Sequence, residues 1–430
     1  MNAPQPLKDE KLNLQLILPF VIPAFIDKLG GAGISAVSPY LVTIQMPEAQ
    51  SSLILGIGRG AAVLAPLALG VLSERVKFKY MVVVSLFISA TFFVLLPIST
   101  YWPVIMMCVF MTQLSIASVK FSIRGLLFEN LPTHLQMEGI GWLRLATNTG
   151  SICGYGVASL FATSFIAGIF YWDAASSVVA GIFMILLLRR KNSAMKETIS
   201  STQNMAGNPE NTPESAVNSA IAEPEIKKNN YADPKIEKIQ HKNAVFHVIL
   251  FSLFSLLWCL GYDLFDTGAS ARYERLAPGK GSSFFYSLML INTIMCAVLS
   301  VKAGKYLKKP SKIILAGTVL TTLGAILGLN NGSNFLKILG MTLWTLSEIG
   351  TLAVLLFLIN LFAKRTQRPG FWAGFGFAAI NMSKPLAGIL VFPFIVNSDR
   401  PYLILLTLAI PTFIAALCVN QIAKKHEIYL

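Results

Sequence analysis

Charged residues are scarce in this sequence, and their scarcity excludes the commonest class of protein. Asp, Glu, Lys and Arg make up 13% of its 430 residues, whereas an ordinary soluble domain has about 25%. The same sequence is 54% hydrophobic and has a mean hydropathy of +0.62. Such a composition also excludes a disordered chain, because disordered chains are polar and highly charged. We therefore expect an integral membrane protein that crosses the bilayer many times.

Residues that bind metals or perform catalysis are also few. The four histidines are scattered, and the five cysteines lie inside apolar segments, which indicates neither a metal cluster nor a disulfide framework. No HExxH motif and no pairing of a nucleophile with a base is present. The fragment GKGSS at 279–283 follows no predicted strand and lacks the upstream glycine of a phosphate-binding loop. We expect no enzymatic activity, no metal, no cofactor and no self-contained ATP-driven pump.

Long apolar runs are what the sequence does contain. A helix needs about 20 apolar residues to cross the hydrocarbon, and the runs bounded by charges, Pro and Gly predict twelve transmembrane helices in two sets of six. The first set is predicted at 13–45, 51–73, 80–99, 102–124, 139–163 and 167–188, and the second at 244–264, 283–301, 312–330, 335–362, 371–396 and 402–422. The predicted fold is an all-α polytopic membrane protein built of two six-helix bundles.

A polar stretch separates the two sets of helices. Residues 189–243 are rich in Asn, Ser, Pro and Lys and hold almost no large apolar side chains, a composition typical of a flexible segment. We predict an N-terminal bundle at 1–188, a cytoplasmic flexible linker at 189–243 and a C-terminal bundle at 244–430. The linker is expected to tether the bundles without being needed for their folding.

The net charge of +14 follows from membrane topology and does not indicate nucleic-acid binding. Basic residues concentrate in alternate loops, and an excess of Lys and Arg marks the cytoplasmic side. The loops so marked lie at 75–79, 189–191, 302–312, 364–368 and 424–425. Both termini are then cytoplasmic, and the expected location is the cytoplasmic (inner) membrane. A cleaved signal peptide is the competing interpretation of the first run, but that run continues past Asp27 to Tyr40 without a short apolar core and cleavage site.

The segment GVLSERVKFK at 70–79 resembles the signature loop of the major facilitator superfamily. The places of that signature are filled here by Gly70, Glu74, Arg75, Lys77 and Lys79. The resemblance implies two pseudo-symmetric six-helix bundles that alternate access to a central site. It also implies a gate in which Glu74 contacts the start of the eleventh helix near 370–373, while the neighbouring bases hold the loop.

Two further segments are similar to drug–proton antiporters. The first helix reads FIDKLGGAGISAVSPYL, and the fifth carries Gly141, Gly150 and Gly154 at the spacing of the antiporter glycine motif. Tyr155 stands where that motif has a proline. The resemblance implies proton-coupled export, with close helix packing at these glycines, and the departure at Tyr155 leaves the direction of transport open.

Ionisable side chains deep in apolar helices are the candidate site, because a charge in hydrocarbon is costly unless it is paired or hydrated. The candidates are Asp27, Arg59, Asp263, Asp266, Glu348 and Lys384. Asp27 and Arg59 lie at depths that are compatible with a contact. An Asp beside a competing Arg can exchange a proton, and Asp27 or Glu348 is the predicted proton-linked carboxylate. Static ion pairs or structural hydrogen bonds are the alternative.

The remaining candidates each allow two interpretations. Asp263 and Asp266 share a helix face near the predicted end of the seventh helix, so they belong either to the site or to a solvated helix end. Lys384 precedes Pro385, and it either neutralises Glu348 or binds an anionic substrate.

Secondary active transport is the function that these features predict. We expect proton-driven movement of a small organic solute across the cytoplasmic membrane, with export as the first direction. Proton-coupled uptake of an organic anion and a non-transporting receptor or scaffold are the alternatives. The expected partners are the solute, protons and the lipid bilayer, and the chain is expected to be a monomer.

Overall fold

The computed structural model describes residues 14–73, 75–131, 136–205, 234–303, 310–363 and 365–426. Their regular structure is helical, with short connections. The helices are α1 (Leu14–Leu29), α2 (Gly33–Thr43), α3 (Glu48–Ser73), α4 (Phe78–Leu95), α5 (Trp102–Asn130), α6 (Gln136–Ser164), α7 (Ala167–Met205), α8 (Pro234–Leu276), α9 (Gly281–Ala303), α10 (Pro310–Gly328), α11 (Asn334–Ala363), α12 (Pro369–Val391) and α13 (Tyr402–His426). A π-helical turn, Phe392–Val396, follows α12.

Twelve membrane-spanning segments can be traced in these helices. Ten stretches of the described chain are long and apolar enough to cross a membrane, and α1 with α2 forms one of them, Ile17–Thr43. The helices α3 and α6 are not among these ten stretches. They have 26 and 29 residues, however, and are therefore about 39 and 43 Å long. The hydrocarbon is about 30 Å thick. The predicted fold of twelve spanning helices in two sets of six is confirmed.

The structure differs from the predicted helix bounds in two instructive places. The first span is interrupted at 30–32, between α1 and α2. The seventh predicted helix was too short, because α8 continues past 264 to Leu276. The charges beyond 264 indicated a loop, but Arg272 is buried in the helix and donates to the carbonyl oxygens of Ile395 and Ser398 at 2.7 and 2.8 Å.

The region between the bundles is partly helical in the described residues. The helix α7 continues to Met205, and α8 begins at Pro234, so both extend into the segment predicted as linker. The residues 206–233 lie outside the described part of the chain. The domain boundaries and the tethering role of the linker stay predictions.

The two bundles, α1–α7 and α8–α13, pack together at one end. We call the end where α3 begins and α8 terminates the closed end, and the end where α1 begins and α13 terminates the open end. The largest hydrophobic cluster joins residues of both bundles, such as Val37 and Leu264, and its members lie toward the closed end. The other clusters each contain residues of a single bundle. Among the described residues, therefore, no hydrophobic cluster toward the open end joins the two bundles.

Close backbone approaches seal the closed end. A Cβ added to Gly388 of α12 would lie 2.5 Å from the carbonyl carbon of Leu55 on α3. On the other side of the seam, the hydroxyl of Ser159 on α6 lies 3.0 Å from that of Ser283 on α9, and Tyr155 stacks on Tyr286 with ring centroids 6.3 Å apart.

Candidate functional site

The break between α1 and α2 is bridged by two consecutive residues of α7. The indole N–H of Trp172 donates to the carbonyl of Leu29, the last residue of α1, at 2.7 Å. The carboxylate Oδ2 of Asp173 accepts the backbone N–H of Gly33, the first residue of α2, at 3.0 Å. Gly30 makes the approach possible, since a Cβ there would lie 2.4 Å from the Asp173 Cα. Backbone groups freed by the break thus find partners inside the bundle.

The last turn of α1 carries the first predicted site residue. The Asp27 carboxylate pairs with the neighbouring ammonium of Lys28, with Nζ and Oδ2 3.0 Å apart, and accepts a hydrogen bond from Ser177 on α7 at 3.4 Å. In the part of the chain that the structure describes, Asp27 makes no contact with Arg59. The compatible depths of Asp27 and Arg59 do not bring the two together here, and Lys28, one residue away, supplies the counter-charge.

Arg59 connects the two bundles instead. Its side chain is 5% exposed and donates a hydrogen bond to the hydroxyl of Thr267 on α8. The carboxylates of Asp266 and Asp263, on the same helix, attract the guanidinium electrostatically. Arg59 therefore places a positive charge from the N-terminal bundle beside two acids of the C-terminal bundle.

Asp263 and Asp266 lie well inside α8. Asp263 is 7% exposed and accepts a hydrogen bond from the hydroxyl of Ser383 on α12. Because α8 continues to Leu276, the interpretation of these residues as a solvated helix end is wrong. Lys384 faces the same region, since its Nζ donates to Asn381 at 3.1 Å and its charge acts on Asp263.

Glu348 lies in a separate group on α11. The amide nitrogen of Asn292 on α9 donates to its Oε2 at 3.0 Å and to the hydroxyl of Thr345 at 3.0 Å, and the Tyr262 hydroxyl is a further donor. Lys384 is not among the groups that act on Glu348 in the described residues. Of the two interpretations of Lys384, direct neutralisation of Glu348 therefore has no support.

Two adjoining cavities open in the N-terminal bundle, with volumes of about 290 and 230 Å³. Both are lined by Asp27, Lys28, Lys120 and Ser151. The larger one also contacts Arg124, Arg144, Thr147 and Asn148, and the smaller one Ser35, Ser89, Tyr155 and Asp173. The described part of this bundle therefore holds a polar cavity directly beside the helix break.

Three bases of the larger cavity form no ion pair within the described residues. Lys120 and Arg124 are four residues apart and share a face of α5, and Arg144 lies on α6 across the cavity. The ion pair between Lys28 and Asp27 is the one found among the described residues, so none of these three bases is paired within them. Anionic groups are what such an arrangement binds.

Sequence reasoning missed several of these residues. Asp173 was detectable, because it is a charge inside the apolar run AGIFYWDAASSVV and meets the criterion that selected Asp27. Arg144 was hidden by the polar residues around it in α6. Asn292 carries no charge, so only the packing of α9 against α11 reveals that it binds Glu348.

The glycines and the signature loop have mixed outcomes. Gly150 and Gly154 lie where α6 crosses α1, since a Cβ would stand 2.4 Å from the Phe25 carbonyl oxygen and 2.8 Å from that of Leu29. Gly141 has open space around it.

The signature loop follows α3, a helix that ends three residues beyond Gly70. Arg75 and Lys77 are exposed in this loop. Lys79 lies in the first turn of α4, with its ammonium 5.0 Å from the Tyr80 ring. Glu74 lies outside the described residues, and its role in gating stays a prediction.

Comparisons with known proteins agree with this architecture. The family model described as Major Facilitator Superfamily matches residues 16–419. No curated protein matches the sequence. The solved structure of a peptide transporter POT in complex with sulfate is similar, with 13% identity over 96% of this chain and 94% of that one and a TM-score of 0.70. The nucleoside transporter NupG has 15% identity over 94% and 98% of the two chains and a TM-score of 0.68.

A POT family transporter in complex with 5-aminolevulinic acid gives a similar result, with 11% identity, coverage of 95% and 96%, and a TM-score of 0.68. At such identities the likeness shows the fold alone. These neighbours are peptide and nucleoside transporters, so they do not specifically support the drug–proton antiporter branch. The family model covers nearly the whole chain, and the chain belongs to the major facilitator superfamily of secondary transporters for small solutes, which are not enzymes.

Proposed function

We propose that this chain moves a small organic solute across the cytoplasmic membrane by proton-coupled alternating access. The observation that carries the proposal is that two bundles pack together at one end, while a polar cavity beside the helix break is lined by the buried acids Asp27 and Asp173. Carriers of this architecture work by rocking the bundles about a central site. A buried carboxylate is retained in hydrocarbon at a considerable cost, which favours a role in binding ions or protons.

The distribution of basic residues supports a cytoplasmic location for the open end. The loop after α3 holds Arg75 and Lys77, and Lys79 lies in the first turn of α4, all at that end. The positive-inside rule places such bases in the cytoplasm. The open end then faces the cytoplasm, and the closed end, where the bundles pack together, faces the outside.

Glu348 is the proposed proton-linked carboxylate of the C-terminal bundle. Replacing it by Gln keeps the hydrogen bond from Asn292 but removes titration, so uphill transport should be lost while downhill exchange persists. The measurement uses purified protein in liposomes with an imposed pH gradient and a panel of organic acids, amines and neutral solutes. Glu129→Gln, a change of an exposed residue at the open end, is the matched control. Uphill accumulation that continues in Glu348→Gln with proton movement contradicts the assignment.

Export is the first candidate direction. It is supported by Gly150 and Gly154, the antiporter-like glycines, which let α6 pack directly on the end of α1 at the helix break. A sliding contact of this kind is suited to movement of α1 during transport.

Uptake of an organic anion is the second candidate, and the unpaired bases favour an anionic solute. Lys120, Arg124 and Arg144 face one cavity and form no ion pair within the described residues, so a bound carboxylate or phosphate would pair with them. Hydrogen bonds from charged donors are about twice as strong as neutral ones, and Arg can bind such a group with two parallel bonds.

Neutralising these bases should abolish the preference for anions. We expect the triple change of Lys120, Arg124 and Arg144 to Gln to lower accumulation of organic acids by more than about 10-fold, since each lost charge-assisted bond is worth about 1.5–3 kcal/mol. The readout is the solute panel in liposomes. The same changes at three exposed bases of the closed end, Arg275, Lys280 and Arg400, are the control for net charge. Selective uptake of amines or neutral solutes by the unmodified protein contradicts an anionic cargo.

A further inference from the structure

One buried acid at the helix break is not accounted for by the site as described so far. Asp173 is 5% exposed, and its side chain accepts the backbone N–H of Gly33. Within the described residues it forms no ion pair, because the nearest ammonium, that of Lys28, lies against Asp27. A carboxylate in this position has a neutral donor on one oxygen and no direct counter-charge.

The positive charges at the break lie closer to Asp27 than to Asp173. The ammonium of Lys28 acts on both carboxylates but lies directly against Asp27. The ammonium of Lys120, which lines both cavities, also acts on Asp27, and in the described residues it is not among the groups that act on Asp173. The negative charge of Asp173 is therefore the less compensated of the two inside the bundle, where an unpaired charge is costly, and one bound proton removes it.

The surrounding helices determine which acid holds that proton. From α5, Lys120 acts on Asp27 and Lys28, and from α6 the phenol of Tyr155 lies in range of Asp173. The described residues of α2 and α4 that line this cavity carry no charge. Positive charge therefore accumulates beside Asp27, whereas Asp173 faces a neutral phenol and a backbone amide.

We infer that Asp173 is the proton-binding carboxylate of the N-terminal bundle and that Lys28 moves from Asp27 to Asp173 when the proton leaves. The inference rests on the proposed proton coupling and assigns its site in this bundle. Asp173 lines the smaller cavity, so its proton can pass to water there. The carboxylate that remains then attracts the ammonium of Lys28.

Movement of Lys28 would act directly on the break. Lys28 belongs to the last turn of α1, and Gly30 and Gly31 follow it before α2 begins. Glycine tolerates a wide range of backbone conformations, so these two residues can absorb a change in direction of α1. Asp173 keeps the first amide of α2 in place at Gly33, and α1 bends against a fixed α2. Proton release is thereby converted into a movement between the helices that line the cavity.

Infrared difference spectroscopy tests this assignment without any solute. The full-length protein in a lipid film is titrated from acid to alkaline pH, and the carbonyl band of protonated carboxylic acid is followed. Asp173→Asn keeps the acceptor for Gly33 but cannot titrate, so we expect it to remove a band that Asp27→Asn and the exposed control Asp399→Asn leave in place. Asp173→Glu should keep a titrating band with a shifted frequency and midpoint.

A second measurement follows the backbone. Hydrogen exchange of peptides covering 28–36 should depend on pH in the unmodified protein and lose that dependence in Asp173→Asn. Asp173→Glu keeps a titrating carboxylate and should retain the dependence, which separates loss of the titrating group from poor folding. A carboxylic acid band that survives in Asp173→Asn, disappears in Asp27→Asn or is absent from the unmodified protein overturns the inference. Solute flux that proves independent of protons while the Asp173 band titrates overturns the proposed function and leaves this proton site standing.

Discussion

Replacing Gly388 by Val is expected to force the closed end apart and shift the transporter away from the conformation described above. A Cβ at this position would lie 2.5, 2.6 and 2.7 Å from the carbonyl carbon and oxygen of Leu55 and the nitrogen of Gly56. Those are backbone atoms of α3 in the other bundle, so no side-chain rotation can relieve the overlap. Overpacking of this kind costs about 1–3 kcal/mol, and the state that suffers it is the one in which α3 and α12 touch.

An energy change of that size alters the ratio of two conformations by about 5- to 150-fold. The readout is labelling of Ser159→Cys, whose side chain is covered by α9 at the closed end, in a background without native cysteines. Labelling should rise sharply with Gly388→Val, and solute transport should fall because the closed end no longer seals.

Gly374 provides the matched control on the same helix. No atom lies within 4 Å of the position that its Cβ would occupy, so Gly374→Val adds the same methyl groups to α12 without a collision. Its labelling should equal that of the unmodified protein. Equal labelling of both variants would mean that α12 shifts to accept the side chain and that the contact with α3 does not hold the closed end.

The sequence predicted the architecture because the relevant signals are long. Each apolar run is about 20 residues long, so it can be identified even when a few of its positions are polar. The charged loops that bound the runs are easily recognised. The bounds failed where a polar residue found a buried partner. The predicted seventh helix ended before Arg272, yet Arg272 is buried in α8 and donates hydrogen bonds to the carbonyl oxygens of Ile395 and Ser398. The residues around Arg272 do not reveal hydrogen-bond acceptors that lie more than a hundred positions away in the sequence.

Partners that are distant in the sequence also explain why the contacts at the candidate site could not be predicted. Depth along a helix can be counted, so the buried positions of Asp27, Arg59 and Asp263 were predictable. Rotation about the helix axis and the tilt of each helix are set by packing, and these decide which charges meet. Arg59 therefore turned out to face Asp266 of the opposite bundle, although its depth allowed a contact with Asp27 equally well.

Arg59 is a charged link between the bundles, and its replacement by Gln should have a large effect. Its hydrogen bond to Thr267 and its attraction to Asp263 and Asp266 all cross from α3 to α8. Removing one partner of a buried charged group costs about 3–5 kcal/mol, because the remaining charges are left unpaired. Arg59→Gln should therefore lower the unfolding temperature, and it should raise labelling of Ser159→Cys at the closed end.

Variants of Thr267 separate the hydrogen bond from the charge. Thr267→Val removes the acceptor and should cost less, about 1.5–3 kcal/mol for a bond to a charged donor, whereas Thr267→Ser keeps the hydroxyl and should behave like the unmodified protein. An equal effect of Arg59→Gln and Thr267→Val would assign the whole contribution to that one bond.

A double-mutant cycle between Arg59 and Asp266 identifies the electrostatic part. If the guanidinium stabilises the closed end by attracting this carboxylate, then Asp266→Asn should partly restore the stability that Arg59→Gln removes, because it takes away the acid that had lost its counter-charge. Contacting groups in such cycles show coupling energies of about 0.5–3 kcal/mol, and independent groups add within about 0.3–0.5 kcal/mol. We expect a coupling in the upper part of that range, measured both by thermal unfolding and by labelling of Ser159→Cys. Additive effects in both measurements would mean that Arg59 only fills space between α3 and α8.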